Sequence, residues 1–148
     1  MQIYKWPNKI LTEPCSSVDI MGKGRGDAVV FLGEMMDLYE QAPPWGRMVG
    51  LAAPQVGKSW RAFVALGELY INPVTLWKPR YGVKTCYEGC YSLEENKFTY
   101  EVPRAYAIKI KWQDINGEWK EKKFKGFEAQ VIQHELDHLE GVCCNMKK

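Results

Sequence analysis

Histidine is scarce in this chain, which contains only two in 148 residues. The chain also lacks a strong net charge, with a formal +2 at pH 7, and its first residues contain no continuous apolar run. Without such a run there is no recognisable signal peptide or membrane helix, so we expect a cytoplasmic protein with no membrane partner. The five cysteines are odd in number, which favours metal binding in a reducing compartment over a set of disulfides.

Basic residues are scattered along the chain, and the weak net charge provides little attraction for a polyanion. Their densest run covers residues 120–125, where Glu121 and Phe124 interrupt it. We interpret this run as the solvated edge of a strand. We therefore expect no direct binding of nucleic acid.

The length and the 46% hydrophobic content predict one domain, residues 1–148, with a hydrophobic core. A first helix is predicted from the N-cap Asp27 to about Gln41, and a second over residues 127–140, before a capping Gly141. The Asn116-Gly117 pair predicts a hairpin. Apolar or alternating runs predict strands at residues 62–66, 69–71, 106–113 and 119–124. Strands around two helices indicate an α+β fold.

Both histidines lie in one pentapeptide, His134-Glu135-Leu136-Asp137-His138. Residues four apart share a helix face, so the two imidazoles can bind the same metal ion. Glu135 would project near the open side of that metal and can take a proton from a water molecule there. The pattern predicts a metal-dependent hydrolase whose third ligand must come from elsewhere.

Two cysteines are candidates for the third ligand. Cys144 follows the second histidine by six residues and, with Gly141, imitates the His-Glu-x-x-His-x-x-Gly-x-x-His pattern of zinc peptidases. Cys90 lies in the segment 88–92, and a thiolate with two imidazoles suits zinc or ferrous iron. A third interpretation is a binding protein with a closed structural zinc site, for which Cys86 would be the fourth ligand.

Three segments resemble the motifs of the peptide deformylase family, in the family's order. Residues 48–55 read MVGLAAPQ, where the family usually has Gly-x-Gly-Leu-Ala-Ala-x-Gln, and residues 88–92 read EGCYS, as in Glu-Gly-Cys-x-Ser. Residues 133–141 read QHELDHLEG, as in Gln-His-Glu-x-Asp-His-Leu-x-Gly. The resemblance extends over nearly the whole chain and makes the peptidase the weaker alternative. It implies small antiparallel sheets packed around a central helix that carries the histidines.

The resemblance implies an enzyme that removes the formyl group from the N-terminal formyl-methionine of nascent polypeptides and releases formate. Cys90, His134 and His138 would bind one divalent metal ion, with Fe²⁺ favoured and Zn²⁺, Ni²⁺ or Co²⁺ as alternatives. Glu135 would act as general base and then deliver the proton to the departing amine. A transient contact with the ribosome is a further expectation.

The resemblance also implies roles for the residues around the metal. The side-chain amide of Gln55 and the backbone N–H of Tyr91 would bind the oxyanion. Glu88 and Asp137 would form hydrogen bonds within the site and orient a metal ligand. The residues expected to bind the substrate are Met48, Val49, Gly50, Gly89, Phe127 and Val131.

The chain departs from the family pattern in three places. Met48 stands where glycine is usual, and we expect it to extend the wall of the substrate pocket. No Pro-Gly pair follows Ser92, and only seven residues follow Gly141. The chain therefore resembles the short forms that lack a C-terminal helix, including those of some bacteriophages, for which the compartment would be the host cytoplasm.

Overall fold

Two α-helices and seven β-strands occupy the residues described by this computed structural model, 1–41, 49–93 and 100–147. The helices are α1 (Arg25–Glu40) and α2 (Gly126–Leu139). The strands are β1 (Gly50–Ala52), β2 (Ala62–Ala65), β3 (Glu68–Trp77), β4 (Lys84–Glu88), β5 (Tyr100–Arg104), β6 (Ala107–Gln113) and β7 (Trp119–Lys125). Within these residues no helix has the length and apolar character needed to cross a membrane.

The strands form two antiparallel sheets. Five of them lie in the order β1-β2-β3-β6-β7, and β4 pairs with β5 alone. Because successive side chains of a strand point to opposite faces of the sheet, each strand can contribute core residues on both faces. Val64 and Ile71 lie in the core on the α1 side, whereas Phe63 and Tyr70 pack with residues of α2 on the other. The predicted α+β fold, with sheets packed around the histidine-bearing helix, is confirmed.

Helix α1 begins earlier than predicted. Asp27 lies within its first turn, and Gly24 is the cap residue. The carboxylate of Asp19 accepts hydrogen bonds from the backbone N–H groups of Gly22 and Gly24, which closes the preceding loop and allows the helix to start before Asp27. Val30, an apolar residue within the predicted helix, is 64% exposed and does not face the core.

Strand β3 is longer than the predicted segment 69–71. Asn72 adopts a left-handed backbone, φ 51°, and produces a bulge in the pairing with β6. Asn72-Pro73 looks like a strand breaker in the sequence, but the strand resumes after the bulge. Strands β1, β4 and β5 were not predicted, because β1 is only three residues long and the other two lack a clear apolar alternation.

The predicted turn signals are confirmed at both ends of the β7–α2 segment. Gly117 has φ 81° in the β6–β7 hairpin, where the Asp114 carboxylate accepts hydrogen bonds from two backbone N–H groups. Gly141 has φ 79° just after α2. A Cβ there would also lie 2.7 Å from the backbone of Thr12, so glycine is required for two reasons.

Candidate metal centre

Helix α2 places both histidines on its buried side, one turn apart. The ring centroids of His134 and His138 are 4.9 Å apart, and His138 is almost fully buried. The spacing of four residues turns the imidazoles toward the same volume. The loop that follows β4 brings Cys90 to this point, with its Sγ 3.4 Å from Nε2 of His138. One donor atom from each of these three residues lies within 4.8 Å of the other two.

The chemistry of these donors fits a divalent metal ion. Burial opposes ionisation of Cys90, but the neighbouring His138 and His134 outweigh it and hold the pKa of the thiol well below its ordinary value. The thiolate in turn raises the pKa of His138 well above its usual range, although burial acts the other way. The thiolate thus requires a positive charge beside it. A cation bound by one thiolate and two neutral imidazoles would supply that charge.

The alternative ligands are arranged less favourably. Cys144 forms a second donor cluster with Glu88 and His134, but it does not meet both histidines. Burial raises the pKa of its thiol, which disfavours the form that binds metal. Cys86 belongs to neither donor cluster in the described part of the chain, so a closed four-ligand zinc site is not assembled there. All five cysteines are free thiols.

Glu135 is buried beside the donors with one oxygen unused. Its Oε1 has no hydrogen-bond partner among the described residues, and its Oε2 lies 3.9 Å from Nε2 of His134. Burial raises the pKa of this carboxyl group. A Cβ on Gly50 would lie 2.7 Å from Cδ of Glu135, so a glycine in β1 makes room for the carboxylate. An unpaired carboxyl group of raised pKa is a typical proton-transfer group.

Gln55 is fixed by three hydrogen bonds. Its Oε1 accepts from the backbone N–H of Ala52 at 2.9 Å, and its Nε2 donates to Cys90 Sγ and to Ser92 Oγ, each at 3.2 Å. The acceptor and donor ends of the amide are therefore distinguishable. The segment around Tyr91 is held as well, since Lys5 donates a hydrogen bond to the Tyr91 carbonyl and Trp6 N–H donates to that of Ser92.

A buried ion network lies behind His134. The guanidinium of Arg104 donates to both oxygens of Glu88, at 2.7 and 2.6 Å, and to Asp137 at 2.6 Å. Nδ1 of His134 lies 2.8 Å from Oε1 of Glu88 and donates to it, which leaves Nε2 free for a metal. Burial alone would raise the pKa of Glu88, but the hydrogen bonds with Arg104 and His134 lower it to about 2.

Arg104 is the main site residue that the sequence analysis missed. It lies in β5 on the same face as the buried Val102, and its side chain is only 2% exposed. A buried arginine requires acidic partners. The two acids already predicted to lie in the site, Glu88 and Asp137, needed a cation as well. That shared requirement is the one signal in the sequence that could have identified Arg104.

Five of the six predicted substrate-binding residues surround one open cleft. The cleft is lined by the predicted Val49, Gly50, Gly89, Phe127 and Val131, together with Glu135, His134 and Cys90. Gln130, which was not predicted, lines it too. Met48 lies outside the described residues, and Asp137 lies behind His134 rather than in the cleft.

The fold and the site together define an α+β protein with a candidate thiolate–imidazole metal centre on a helix of His-Glu-x-x-His type. The sequence profile of the polypeptide deformylase family matches residues 1–147, and the chain belongs to this family. The resemblance drawn from the three motifs is thereby confirmed.

Individual relatives agree with this assignment. The chain is 41% identical over 99 residues to a peptide deformylase of Thermotoga maritima, and 46% identical over 100 residues to that of Dictyoglomus turgidum. These matches cover 64% of this chain, and the chain spans about three fifths of the length of these relatives, 58% and 61%.

Solved structures match over a greater length. The crystal structure of the Thermotoga maritima peptide deformylase superposes with a TM-score of 0.82 at 32% identity, covering 96% of this chain and 92% of that one. A Plasmodium falciparum peptide deformylase in complex with an inhibitor gives 0.81 at 29% identity, covering 96% and 85%. This chain is therefore similar in fold to these two enzymes along almost its whole length.

Proposed function

We propose that this chain is a metal-dependent amide hydrolase that removes the formyl group from the N-terminal formyl-methionine of nascent polypeptides. The observation that carries the proposal is the position of Glu135, a buried carboxyl group with one unpaired oxygen, next to the Cys90–His134–His138 donors in an open cleft. Structural zinc sites have four protein ligands and need no such group. A hydrolase needs an open coordination position and a base beside it.

Cys90, His134 and His138 would hold the metal. When bound, the cation would act as a Lewis acid on the formyl carbonyl and increase the acidity of water. Fe²⁺ is the favoured ion, with Zn²⁺, Ni²⁺ and Co²⁺ as alternatives, because one thiolate and two imidazoles accept all four. Glu88 fixes the tautomer of His134, and Asp137 fixes Arg104 behind it.

Glu135 would move the proton. Its free Oε1 takes a proton from the attacking water as the new C–O bond forms at the formyl carbon. The same carboxyl group then gives that proton to the amide nitrogen as the C–N bond breaks. Formic acid and the N-terminal amine are the products, and proton exchange in water then gives formate and an ammonium group, so atoms and charge balance. Burial raises the pKa of Glu135 above its ordinary value, as is typical of a carboxyl group that transfers protons.

Gln55 and Tyr91 would stabilise the negative charge that develops on the carbonyl oxygen. The Nε2 group of Gln55 lies beside Cys90 at the cleft, and the hydrogen bond from Ala52 to its Oε1 keeps it pointing there. The N–H that Cys90 Sγ accepts would turn to the oxyanion when the thiolate binds the metal. The backbone N–H of Tyr91 is the second donor. Groups that are fixed before the reaction need no reorganisation as the charge appears.

The substrate would bind along β1. Among the described residues β1 pairs with β2 alone, so its other edge can accept an extended peptide near Val49 and Gly50, with Gly89 across the cleft. Val131 and Phe127 would contact the methionine side chain. A location in the cytoplasm and a transient ribosome contact are parts of the same proposal, as is a single catalytic domain over residues 1–148.

Formate release from formyl-Met-Ala-Ser tests the proposal, with protein prepared anaerobically and loaded with Fe²⁺. The Glu135→Gln variant is the matched control, because it removes the base and keeps the metal ligands. Acetyl-Met-Ala-Ser tests whether the site requires the formyl group. Cleavage of internal peptide bonds without formate release would instead indicate a peptidase. Bound metal with neither activity would indicate a structural site.

Comparing metals tests the preference for iron. We expect faster turnover with Fe²⁺ than with Zn²⁺ and loss of the iron-dependent activity in air, because a thiolate beside an oxidisable metal is a target for oxygen. Equal and air-stable rates with both metals would contradict the preference for iron and leave the reaction itself unaffected.

A further inference from the structure

One face of the sheet formed by β3, β6 and β7 presents a group of lysines and tryptophans. Helix α1 packs on the side of the sheet that carries Val64 and Ile71, but further along β3 on the same side Val74 and Trp77 are exposed among the described residues. We name this open surface the lysine face. It consists of Trp77, Lys109, Lys111, Trp119, Lys123 and Lys125.

The strand register brings these residues together. Lys109 of β6 lies opposite Trp77 on one side and Lys123 on the other. Lys111 follows two residues later on the same face, and β7 adds Trp119 and Lys125 at alternate positions. Each of these side chains points away from Ile108 and Ile110, which fill the core on the opposite face.

The face concentrates positive charge. Its four lysines lie near the carboxylate of Glu121, whose Oε1 is 3.5 Å from Nζ of Lys109. These five side chains together carry a formal charge of +3, whereas the entire chain carries +2. Lysines placed directly opposite each other, as Lys109 and Lys123 are, repel. An anion lying over the face would relieve that repulsion.

The two tryptophans are exposed within the charged surface. Trp77 is 41% and Trp119 is 53% exposed. Nζ of Lys123 lies 4.7 Å from the centre of the Trp77 ring, and Nζ of Lys111 lies 4.9 Å from that of Trp119. Large aromatic rings left in water beside cations are typical of surfaces on which bases stack while lysines contact phosphates.

Although the sequence alone led us to expect no direct binding of nucleic acid, we propose that the lysine face binds single-stranded RNA, with the lysines on the phosphates and the tryptophans against unstacked bases. The presence of both lysines and exposed tryptophans favours RNA over an acidic peptide. A run of acidic residues would bind the lysines but leave both indole rings without a partner. The choice of RNA over DNA rests on the proposed function, since nascent polypeptides are attached to ribosomes, whose surface exposes RNA. The binding itself needs neither metal nor formylated substrate.

Fluorescence anisotropy with a labelled 12-nucleotide oligouridylate at low salt tests the proposal. We expect wild-type binding to weaken at least tenfold when Lys109, Lys111, Lys123 and Lys125 are all replaced by Gln. The matched control replaces Lys9, Lys23, Lys58 and Lys84, four exposed lysines elsewhere, and removes the same charge. The control is a strict one because Lys58 also lies over a tryptophan, Trp60. We expect it to bind within twofold of the wild type.

Two further measurements separate stacking from charge. Replacing Trp77 and Trp119 together by Leu should weaken binding at least fivefold, whereas Tyr87→Leu, an exposed aromatic on β4, should not. The slope of log K against log salt should be about 3 units less steep in the four-lysine variant. If the fourfold variant does not fold, the salt slope of the wild type is instead compared with that of the single variant Lys123→Gln.

Four outcomes would overturn the proposal. The first is that the wild type does not bind the oligonucleotide at 100 µM protein, and the second is an equal loss of binding in both fourfold variants. The third is tighter binding of a 12-base-pair RNA duplex than of the single strand. The fourth is that the wild type is a dimer and the lysine substitutions dissociate it. Formate release from formyl-Met-Ala-Ser is measured separately and should be unchanged in the lysine variant. Failure of RNA binding and failure of the proposed hydrolysis are thus distinguished.

Discussion

Two groups of charged side chains in this protein differ in how they are held. The network around His134 is buried, and Arg104 alone makes three hydrogen bonds of 2.6–2.7 Å to two acids. The lysine face is solvated, with one ion pair at 3.5 Å between side chains that are 42% and 60% exposed. Buried charges fix one geometry and leave a large penalty when a partner is removed. Exposed charges act together, are screened by salt and contribute little singly.

The largest effect should come from removing the buried thiolate. We expect Cys90→Ala to lose its bound metal and its activity, because two imidazoles alone hold a divalent ion weakly. Cys144→Ala should keep both, since Cys144 does not meet the two histidines. Metal content by atomic absorption after gel filtration checks this. Metal loss in Cys144→Ala with retention in Cys90→Ala would revive the peptidase interpretation.

The second effect is catalytic only. Glu135→Gln should keep the metal while kcat falls by about 10²–10⁴, the usual contribution of a general acid–base group. The amide has nearly the same size as the carboxyl group and fits beside Gly50. Near-normal turnover with full metal content would exclude the proposed role of Glu135.

The third prediction tests whether Arg104, Glu88 and Asp137 stabilise the fold as one coupled network. Arg104→Met should lower the free energy of unfolding by about 3–5 kcal/mol, because Glu88 and Asp137 would be left without their shared cation. Urea unfolding monitored by circular dichroism measures it. The double variant Arg104→Met/Glu88→Gln should regain part of the loss. A loss below about 1 kcal/mol for the single variant would place the network in the same class as exposed pairs.

The fourth prediction concerns the pH dependence of the free energy of unfolding that Glu88 of the same network produces. The pKa of Glu88 is lowered from 4.5 to about 2 in the folded state, so its ionised form stabilises the fold above about pH 4.5. That contribution, about 3 kcal/mol, is lost as the pH falls from 4.5 towards 2. With metal removed by chelation, the stability difference between wild type and Glu88→Gln should shrink over this range. A difference that stays constant would contradict the shift.

The smallest effect is expected at the exposed pair. Glu121→Gln removes the partner of Lys109 and should change the free energy of unfolding by less than about 1 kcal/mol, falling further in 0.5 M salt. The same urea experiment measures it beside Arg104→Met. A loss comparable to that of the buried arginine would remove the distinction between the two groups.

Local patterns in the sequence predicted much of this fold. Both helices were predicted to within about two residues of their observed ends, Asn116-Gly117 indicated the hairpin, and Gly141 marked the end of α2. These signals depend on neighbours in the chain, so they can be read without knowing the fold. The strands missed, β1, β4 and β5, pair with their neighbours along the chain, β1 with β2 and β4 with β5, but across connections too long to give a hairpin signal. Their short or polar segments carry no periodic signal of their own.

The sequence by itself predicted that the two histidines face one volume, because a spacing of four places them on the same side of a helix. Only the tertiary structure shows that, among the described residues, Cys90 lies near both histidines while Cys144 lies near His134 alone. It also supplied Arg104 and the lysine face. A run of residues 120–125 looks like an ordinary solvated edge until strand pairing adds Lys109, Lys111 and Trp77 beside it. A run in the sequence shows only the charge along one strand, whereas the charge of a sheet surface also depends on which residues of the paired strands lie beside it.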